Sequence, residues 1–271
     1  MHYKKHNITR LSLALGTLFF LTAGALPAGA QTASPMLHNT STSARRMGGG
    51  SQAIISRSDQ EITQRINSLN ALLNRIDEMQ KVSSSEKKYL SSAIQSQIAD
   101  LTNLKTQIGN DSNSTSSLRT DFQSITKSYR IYMLVIPQGT LTAAADRIMT
   151  ITSTTAALAA KLQTRISEAQ TAGQNVSALQ SSLSDLNAKV TDANAQAQAA
   201  LNEITPLMPD NGSSTQMQAN TATLKDARSK IATAQKDLIA ARKDAGIIVK
   251  GLITMDKSSA ASGATASETS Q

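Results

Sequence analysis

Two short matches bring together the residue types of a serine acyltransferase. The pairs Ser124–Lys127 (SITK) and Ser85–Lys88 (SEKK) have the S-x-x-K spacing. On a helix this spacing places a lysine amine one turn from a serine hydroxyl, where it can accept the hydroxyl proton. The chain has neither of the usual partner motifs, S-D-N and K-T-G, and serine is abundant enough for chance matches. A hydrolase that uses Ser124 and Lys127 is therefore the least supported hypothesis, and we predict no catalytic residue.

Other catalytic and metal chemistry also lacks its usual residues. All three histidines lie at or before His38, and the chain has no cysteine. The commonest general base, the thiol nucleophile and the soft metal ligands are thus missing from the rest of the chain. The acidic residues are scattered, with Asp77 and Glu78 as the one adjacent pair. We expect no metal and no cofactor, and we predict that the protein is not an enzyme.

The first thirty residues have the pattern of a bacterial secretory signal peptide. Lys4, Lys5 and Arg10 precede the apolar run LSLALGTLFFLTAGAL, and the small residues A-G-A follow it. This order of basic, apolar and small residues predicts export with cleavage after Ala30. A membrane anchor is disfavoured because a proline follows the apolar run directly. We expect the mature chain in the periplasm, at the cell surface or outside the cell.

The charge balance bears on the partners of the chain. The net charge is +8, and removal of the three basic residues of the leader leaves +5. Residues 215–257 carry eight lysines and arginines against four aspartates, which permits weak attraction to anionic polymers or lipid headgroups. No basic cluster is interleaved with aromatic residues, so we expect no nucleic-acid partner.

A coiled-coil period runs through the region after the leader. Apolar residues recur at alternating spacings of three and four, which predicts left-handed supercoiled helices. Six helical segments follow from this pattern, and their short connections favour antiparallel neighbours. The predicted segments are 58–82, 85–109, 117–136, 140–172, 174–207 and 215–255.

These segments predict an all-α fold of six antiparallel coiled-coil-like helices. We expect two tandem three-helix bundles, 57–136 and an Ala-rich 137–256, joined by a helix kinked at Pro137. The alternative is one long helical hairpin with the first two helices folded back on it. Residues 31–56 and 257–271 are polar and of low complexity, so we expect a disordered linker and a disordered tail.

The stretch SYRIYMLVIPQGTLTAAADRI, residues 128–148, differs from the rest of the chain. Its apolar run, 131–136, is far shorter than the about 20 residues needed to span a membrane. The apolar stripe slips by about one position at 137–139, and a proline within a helix kinks it. Asp146 paired with a nearby arginine would add a polar latch. We predict a structural joint between the bundles, formed by Tyr129, Tyr132, Pro137 and Gly139.

The stretch GIIVKGLITM, residues 246–255, is apolar on all sides with a lysine at its centre. A helix of this kind is usually buried in a core or a bundle interface. The alternatives are a partner-binding patch and a membrane-surface contact. The candidate interaction residues are Ile247, Ile248, Lys250 and Leu252.

The run YRIYMLVIP…AAADRI, residues 129–148, resembles a core segment of uncharacterised helical proteins with signal peptides from ultra-small, candidate-phyla bacteria. The resemblance extends over about residues 118–166 and implies neither an activity nor functional residues.

From the leader, the helical pattern and the missing catalytic residues, we expect an exported, non-enzymatic coiled-coil protein that acts as a structural spacer or protein-interaction module of the envelope or exterior. Its partner would be another protein, an envelope component or a second copy of the chain. The alternative is a membrane-surface protein that uses its basic, apolar C-terminal helix.

Overall fold

The computed structural model describes residues 51–110, 115–127 and 130–268. In these ranges the chain is all-α, with six α-helices and no strand, which confirms the predicted fold class. A π-helical segment, Ile131–Val135, directly precedes the fourth helix. The predicted signal peptide lies outside the described residues. The helices are α1 (Ser51–Asp77), α2 (Ser84–Asn110), α3 (Thr115–Lys127), α4 (Ile136–Thr171), α5 (Ser177–Ile204) and α6 (Ser214–Glu268).

The outermost helices are longer than their apolar stripes predicted. Helix α1 begins at Ser51, within the segment predicted to be a linker, and Ile54 and Ile55 pack partly buried against the core. Helix α6 continues to Glu268, past the predicted end of the stripe at residue 255. The alanines and serines beyond that point are compatible with a helix, and extending a formed helix adds one hydrogen bond per residue fixed.

Two helix ends are stabilised by residues close to them in the chain. Ser83 and Glu86 form a reciprocal capping box at the start of α2: the Glu86 N–H donates to the Ser83 hydroxyl at 3.2 Å, and the Ser83 N–H donates to the Glu86 carboxylate at 3.0 Å. At the end of α4, Gly173 has a φ of 80°. The Gln174 N–H donates to the Ala169 carbonyl at 3.0 Å and the Gly173 N–H to the Gln170 carbonyl at 2.9 Å, as in a Schellman motif.

The helices contact one another as in a helical bundle. Helix α5 packs against both α4 and α6, and α4 also packs against α6. Helix α1 packs against α2, α3 and α4. All six helices belong to one compact unit.

The buried apolar side chains form two clusters. The first contains residues of α1, α2, α3 and the π-helical segment, together with the start of α4, the end of α5 and the start of α6. The second contains the remaining parts of the three long helices. Along α4 the change from one cluster to the other falls between Met149 and Ala159. The segment predicted to be a joint therefore packs within the first cluster.

Candidate functional site

The segment 130–139, which we call the joint, begins with a break in the helical backbone. Arg130 has φ 44° and ψ 32°, in the left-handed region. From Ile131 onward the chain is helical without interruption to the end of α4. Pro137 is the second residue of α4, but helical backbone already precedes it from Ile131, so its missing N–H leaves one turn of the continuous helix without a main-chain hydrogen bond. The helical backbone is thus interrupted at Arg130, upstream of Pro137.

The π-helical segment accounts for the slip in the apolar stripe. The Ile136 N–H donates to the carbonyl of Ile131, five residues earlier. Such a turn contains one residue more than an α-helical turn, so the side chains that follow are displaced by one position. The wider turn also gives room to Pro137, whose ring would otherwise press on the carbonyl of Met133. The one-residue slip was predicted at 137–139, and its cause lies immediately upstream.

Tyr132 attaches the π-helical segment to α1. The guanidinium of Arg65 lies over the Tyr132 ring at 5.1 Å from the centroid. Arg65 is buried and donates to the Glu61 carbonyl at 2.9 Å, so its position is fixed. The Tyr132 hydroxyl is 3.4 Å from the Ser68 hydroxyl. Tyr129, the other predicted aromatic residue of the joint, lies outside the described residues.

Gly139 allows α4 to approach α1 closely. A Cβ atom at this position would lie 2.6 Å from Cδ2 and 2.9 Å from Cγ of Leu72. Leu72 is itself buried, so its side chain has little freedom to move away. The absence of a side chain at Gly139 is therefore part of the contact between the two helices.

Asp146 holds the connection between α1 and α2. Its carboxylate is buried, and Oδ1 accepts the backbone N–H groups of Gln80 at 2.8 Å, of Lys81, and of Val82 at 3.0 Å. The prediction that Asp146 pairs with an arginine was wrong, because its partners are main-chain N–H groups. A carboxylate suits this position since charged acceptors form the stronger hydrogen bonds to N–H groups.

Arg130 and Asp210 join the break to the connection between α5 and α6. The Arg130 Nε lies 3.2 Å from Oδ1 and 3.1 Å from Oδ2 of Asp210. Asp210 is buried, and its Oδ1 also accepts the N–H of Gly212 at 2.8 Å. One carboxylate thus organises its own turn and binds the residue at which the helical backbone is interrupted.

Gln138 holds the end of α5. Its Nε2 donates to the Ile204 carbonyl at 2.7 Å, with longer contacts of 3.4 Å to the carbonyls of Thr205 and Leu207. The last carbonyls of a helix have no partner within the helix, so a buried side-chain amide satisfies them here. Arg130, Gln138 and Asp146 together hold three chain segments, and we call them the clamp residues.

Among the described residues, no contact supports the hypothesis of a catalytic serine at Ser124. The Ser124 hydroxyl donates to the Asp121 carbonyl at 2.6 Å, and the side chain of Lys127 lies outside the described residues. A cavity of ≈60 Å³ beside the joint, lined in part by Tyr89 and Met208, is far below the about 300–1,000 Å³ of ordinary ligand pockets. In the described ranges, no three acidic or histidine residues are grouped so that they could hold a metal ion. What this arrangement can do is fix helices relative to one another.

The predicted interaction patch is divided between core and surface. Ile248 and Leu252 are buried in the second cluster. Ile247 is 45% exposed, and Lys250 is also exposed. The signal for this division was present in the sequence, because Ile248 and Leu252 continue the three-and-four stripe of α6 and Ile247 does not.

Among the described residues, no helix has both the length and the apolar character needed to cross a membrane. No protein-family model matches the chain, and no curated protein or solved structure is significantly similar to it.

Proposed function

We propose that this chain is an exported, non-enzymatic helical-bundle protein that acts as a structural spacer or protein-interaction module of the cell envelope or exterior. The observation that carries the proposal is the set of clamp residues. Their hydrogen bonds and ion pair hold helices and connections in place. A spacer needs this property, because flexibility between its parts would make the distance it sets variable.

The proposed architecture is two tandem three-helix bundles, α1–α3 and α4–α6, joined through the segment 130–139. The mutual contacts of α4, α5 and α6 favour this arrangement over one long hairpin, since α4 packs against both of the other long helices. The contacts of α1 with α2 and α3 favour a first bundle of three. Gly139 and the clamp residues would then define the angle between the two bundles.

Export is the part of the proposal that a single experiment decides. We expect a bacterial host with a general secretory pathway to release the chain from its cytoplasm with Gln31 at the N-terminus, as determined by Edman sequencing or mass spectrometry. A matched variant with Leu15→Arg and Leu18→Arg interrupts the apolar run and should remain in the cytoplasm at full length. Wild-type protein found uncleaved in the cytoplasm would contradict the proposal.

The interaction role is tested in exporting cells. Photo-crosslinking residues at exposed positions on α2 and α5, such as Ser96 and Asp192, should capture the same partner on repeated preparations if these outer faces are used. The matched control places the same crosslinker at buried Ile94 or Ala193, where only products within the chain are expected. Equal capture of many unrelated proteins from all positions would argue against a specific interaction module.

A further inference from the structure

The outer face of α6 carries a regular row of lysines. Lys236, Lys243, Lys250 and Lys257 follow one another at intervals of seven residues, and all four are exposed. Seven residues are close to two helical turns, so these side chains lie on one face, about 10 Å apart along the axis at 1.5 Å per residue. We call these four lysines and the exposed isoleucines between them the outer stripe.

The outer stripe lies opposite the packed face of the same helix. Ala241, Ala245, Ile248 and Leu252 are buried against α4 and α5. Since the lysines fall on the other side of the helical wheel, they point away from both neighbouring helices.

Two of the three acidic residues near the outer stripe are paired with other helices. Asp237 is paired with Lys189 of α5 at 3.4 Å, and Asp256 with Arg165 of α4 at 3.2 Å. Asp244 is half-buried on the flank of the helix. Within the described part of the chain, none of the four lysines makes an ion pair.

Lys230, earlier on α6, differs from the four lysines of the outer stripe because it forms ion pairs within the protein. Its ammonium lies 2.7 Å from the Glu203 carboxylate and also pairs with Asp226. Hydrogen bonds to Asp226 and then to Glu203 hold the pKa of Lys230 above its usual value. The positive charge of Lys230 is therefore used within the protein, whereas that of the outer stripe faces outward.

Three isoleucines share this exposed side of α6. Ile239 is 68% exposed, Ile247 45% and Ile253 43%. Lysine and isoleucine side by side on an exposed helix face suit the boundary between lipid headgroups and acyl chains, where the ammonium meets phosphate and the apolar group is removed from water. A soluble polyanion would neutralise the lysines but leave the isoleucines in water.

We propose that the outer stripe of α6 binds the surface of an anionic lipid bilayer, with α6 lying along it. Contact would be peripheral, because the opposite face of the helix stays packed in the bundle. Its affinity would fall with ionic strength, since exposed charges are screened. This inference goes beyond the spacer proposal and concerns surfaces away from the joint, so its failure would leave that proposal standing.

Vesicle flotation tests the lipid surface directly. All variants carry the same N-terminus and are mixed with vesicles of phosphatidylcholine, with or without phosphatidylglycerol, at low and at physiological salt. We expect wild-type protein to float with the anionic vesicles and to float less as salt rises. The triple change Lys236→Gln, Lys243→Gln and Lys250→Gln should weaken binding about a hundredfold, because each lysine near an anionic surface contributes a factor of about five.

The matched control removes the same charge elsewhere, through Lys88→Gln, Arg119→Gln and Lys161→Gln at exposed positions. It should bind nearly as well as wild type. The pair Ile239→Ser and Ile247→Ser changes no charge and should reduce binding to vesicles severalfold while leaving binding to dextran sulfate unaltered. Helical circular dichroism checks that every variant remains folded.

Two results would overturn the proposal. The first is equal flotation of wild type and the Lys236, Lys243 and Lys250 variant. The second is lysine-dependent binding to dextran sulfate without flotation on the anionic vesicles, which would assign the outer stripe to a soluble polyanion instead.

Discussion

The N-terminal and C-terminal halves of α4 bury different kinds of side chain. The first half buries Gln138, Thr142, Asp146 and Thr152 among its apolar residues. The second half buries Ala159, Leu162 and Ile166 alone. Among the described residues, the other buried polar groups, Ser58, Arg65, Asp210 and Asn220, also belong to the region of the first cluster.

This difference separates two ways of holding helices together. A periodic apolar seam favours association but tolerates small shifts along the axis, because alanine and leucine layers resemble one another. A buried carboxylate or amide tolerates no shift, since a displaced polar group would lose its hydrogen bonds in a place without water. We infer that the first half of α4 sets the relative positions of the helices and that the second half adds apolar burial.

The largest effect is expected from Asp146→Ala. The change removes the acceptor of three main-chain N–H groups in the connection between α1 and α2. The bond to Val82 is buried and those to Gln80 and Lys81 are partly buried; since a buried group left unsatisfied costs about 1–3 kcal/mol, we expect a total loss of about 2–4 kcal/mol in the free energy of unfolding, measured in urea. Asp192→Ala removes an exposed acid of α5 and should change it by less than about 0.5 kcal/mol. Equal effects of the two substitutions would show that Asp146 is not a clamp.

The next effect is expected at Arg130. Arg130→Met leaves the buried Asp210 carboxylate without its charged partner, and we expect a loss of about 1–3 kcal/mol. Arg130→Gly removes the same ion pair but accepts the left-handed backbone, which costs a residue with a side chain about 1–2 kcal/mol. Urea unfolding should therefore rank glycine above methionine in stability. The reverse order would mean that the backbone conformation at Arg130 contributes nothing.

Two glycine substitutions compare the joint with the far part of α6. Gly139→Ala forces a Cβ against Leu72 and should destabilise by about 1–3 kcal/mol, as overpacking does. Gly246→Ala adds a Cβ with nothing within 4 Å and should stabilise by about 0.5–1 kcal/mol, because alanine favours a helix. Thermal unfolding followed by circular dichroism measures both. A neutral Gly139→Ala would show that α1 can move away from α4 freely.

The smallest effect is expected at Tyr132. Tyr132→Ala removes the ring beneath the Arg65 guanidinium and should cost about 0.5–1 kcal/mol, the range of a partly exposed cation–π contact. Tyr132→Phe keeps the ring and loses only the long hydroxyl contact with Ser68, so it should be nearly neutral. If phenylalanine were as costly as alanine in urea unfolding, the hydroxyl rather than the ring would hold the π-helical segment.

The features that the sequence predicted correctly depend on neighbours along the chain. The six helices follow from an apolar period of three and four residues along the chain. A slip of one position in the stripe likewise indicated an irregular turn. The slip was predicted at 137–139, whereas the structure has a π-helical segment just before these residues.

The features that the sequence did not predict depend on contacts between distant residues. Asp146 binds amides about 65 positions earlier, and main-chain partners leave no mark in a pattern of side chains. The left-handed conformation of Arg130 is equally hidden, since arginine is not typical of that region. Its partner Asp210 is 80 positions away.

The central claim is that Asp146 fixes α1 relative to the long helices, through the connection between α1 and α2. The chain has no cysteine, so Asn70→Cys on α1 and Thr164→Cys on α4, both at exposed positions, can carry two spin labels for a distance measurement by pulsed electron paramagnetic resonance. Labels at Thr164 and Ser184 of α5 provide the control pair. We predict a single narrow distance for both pairs. Asp146→Ala, which removes the acceptor, should broaden the Asn70–Thr164 distribution and leave the Thr164–Ser184 distribution unchanged. A broad Asn70–Thr164 distribution in the otherwise wild-type chain would contradict the account.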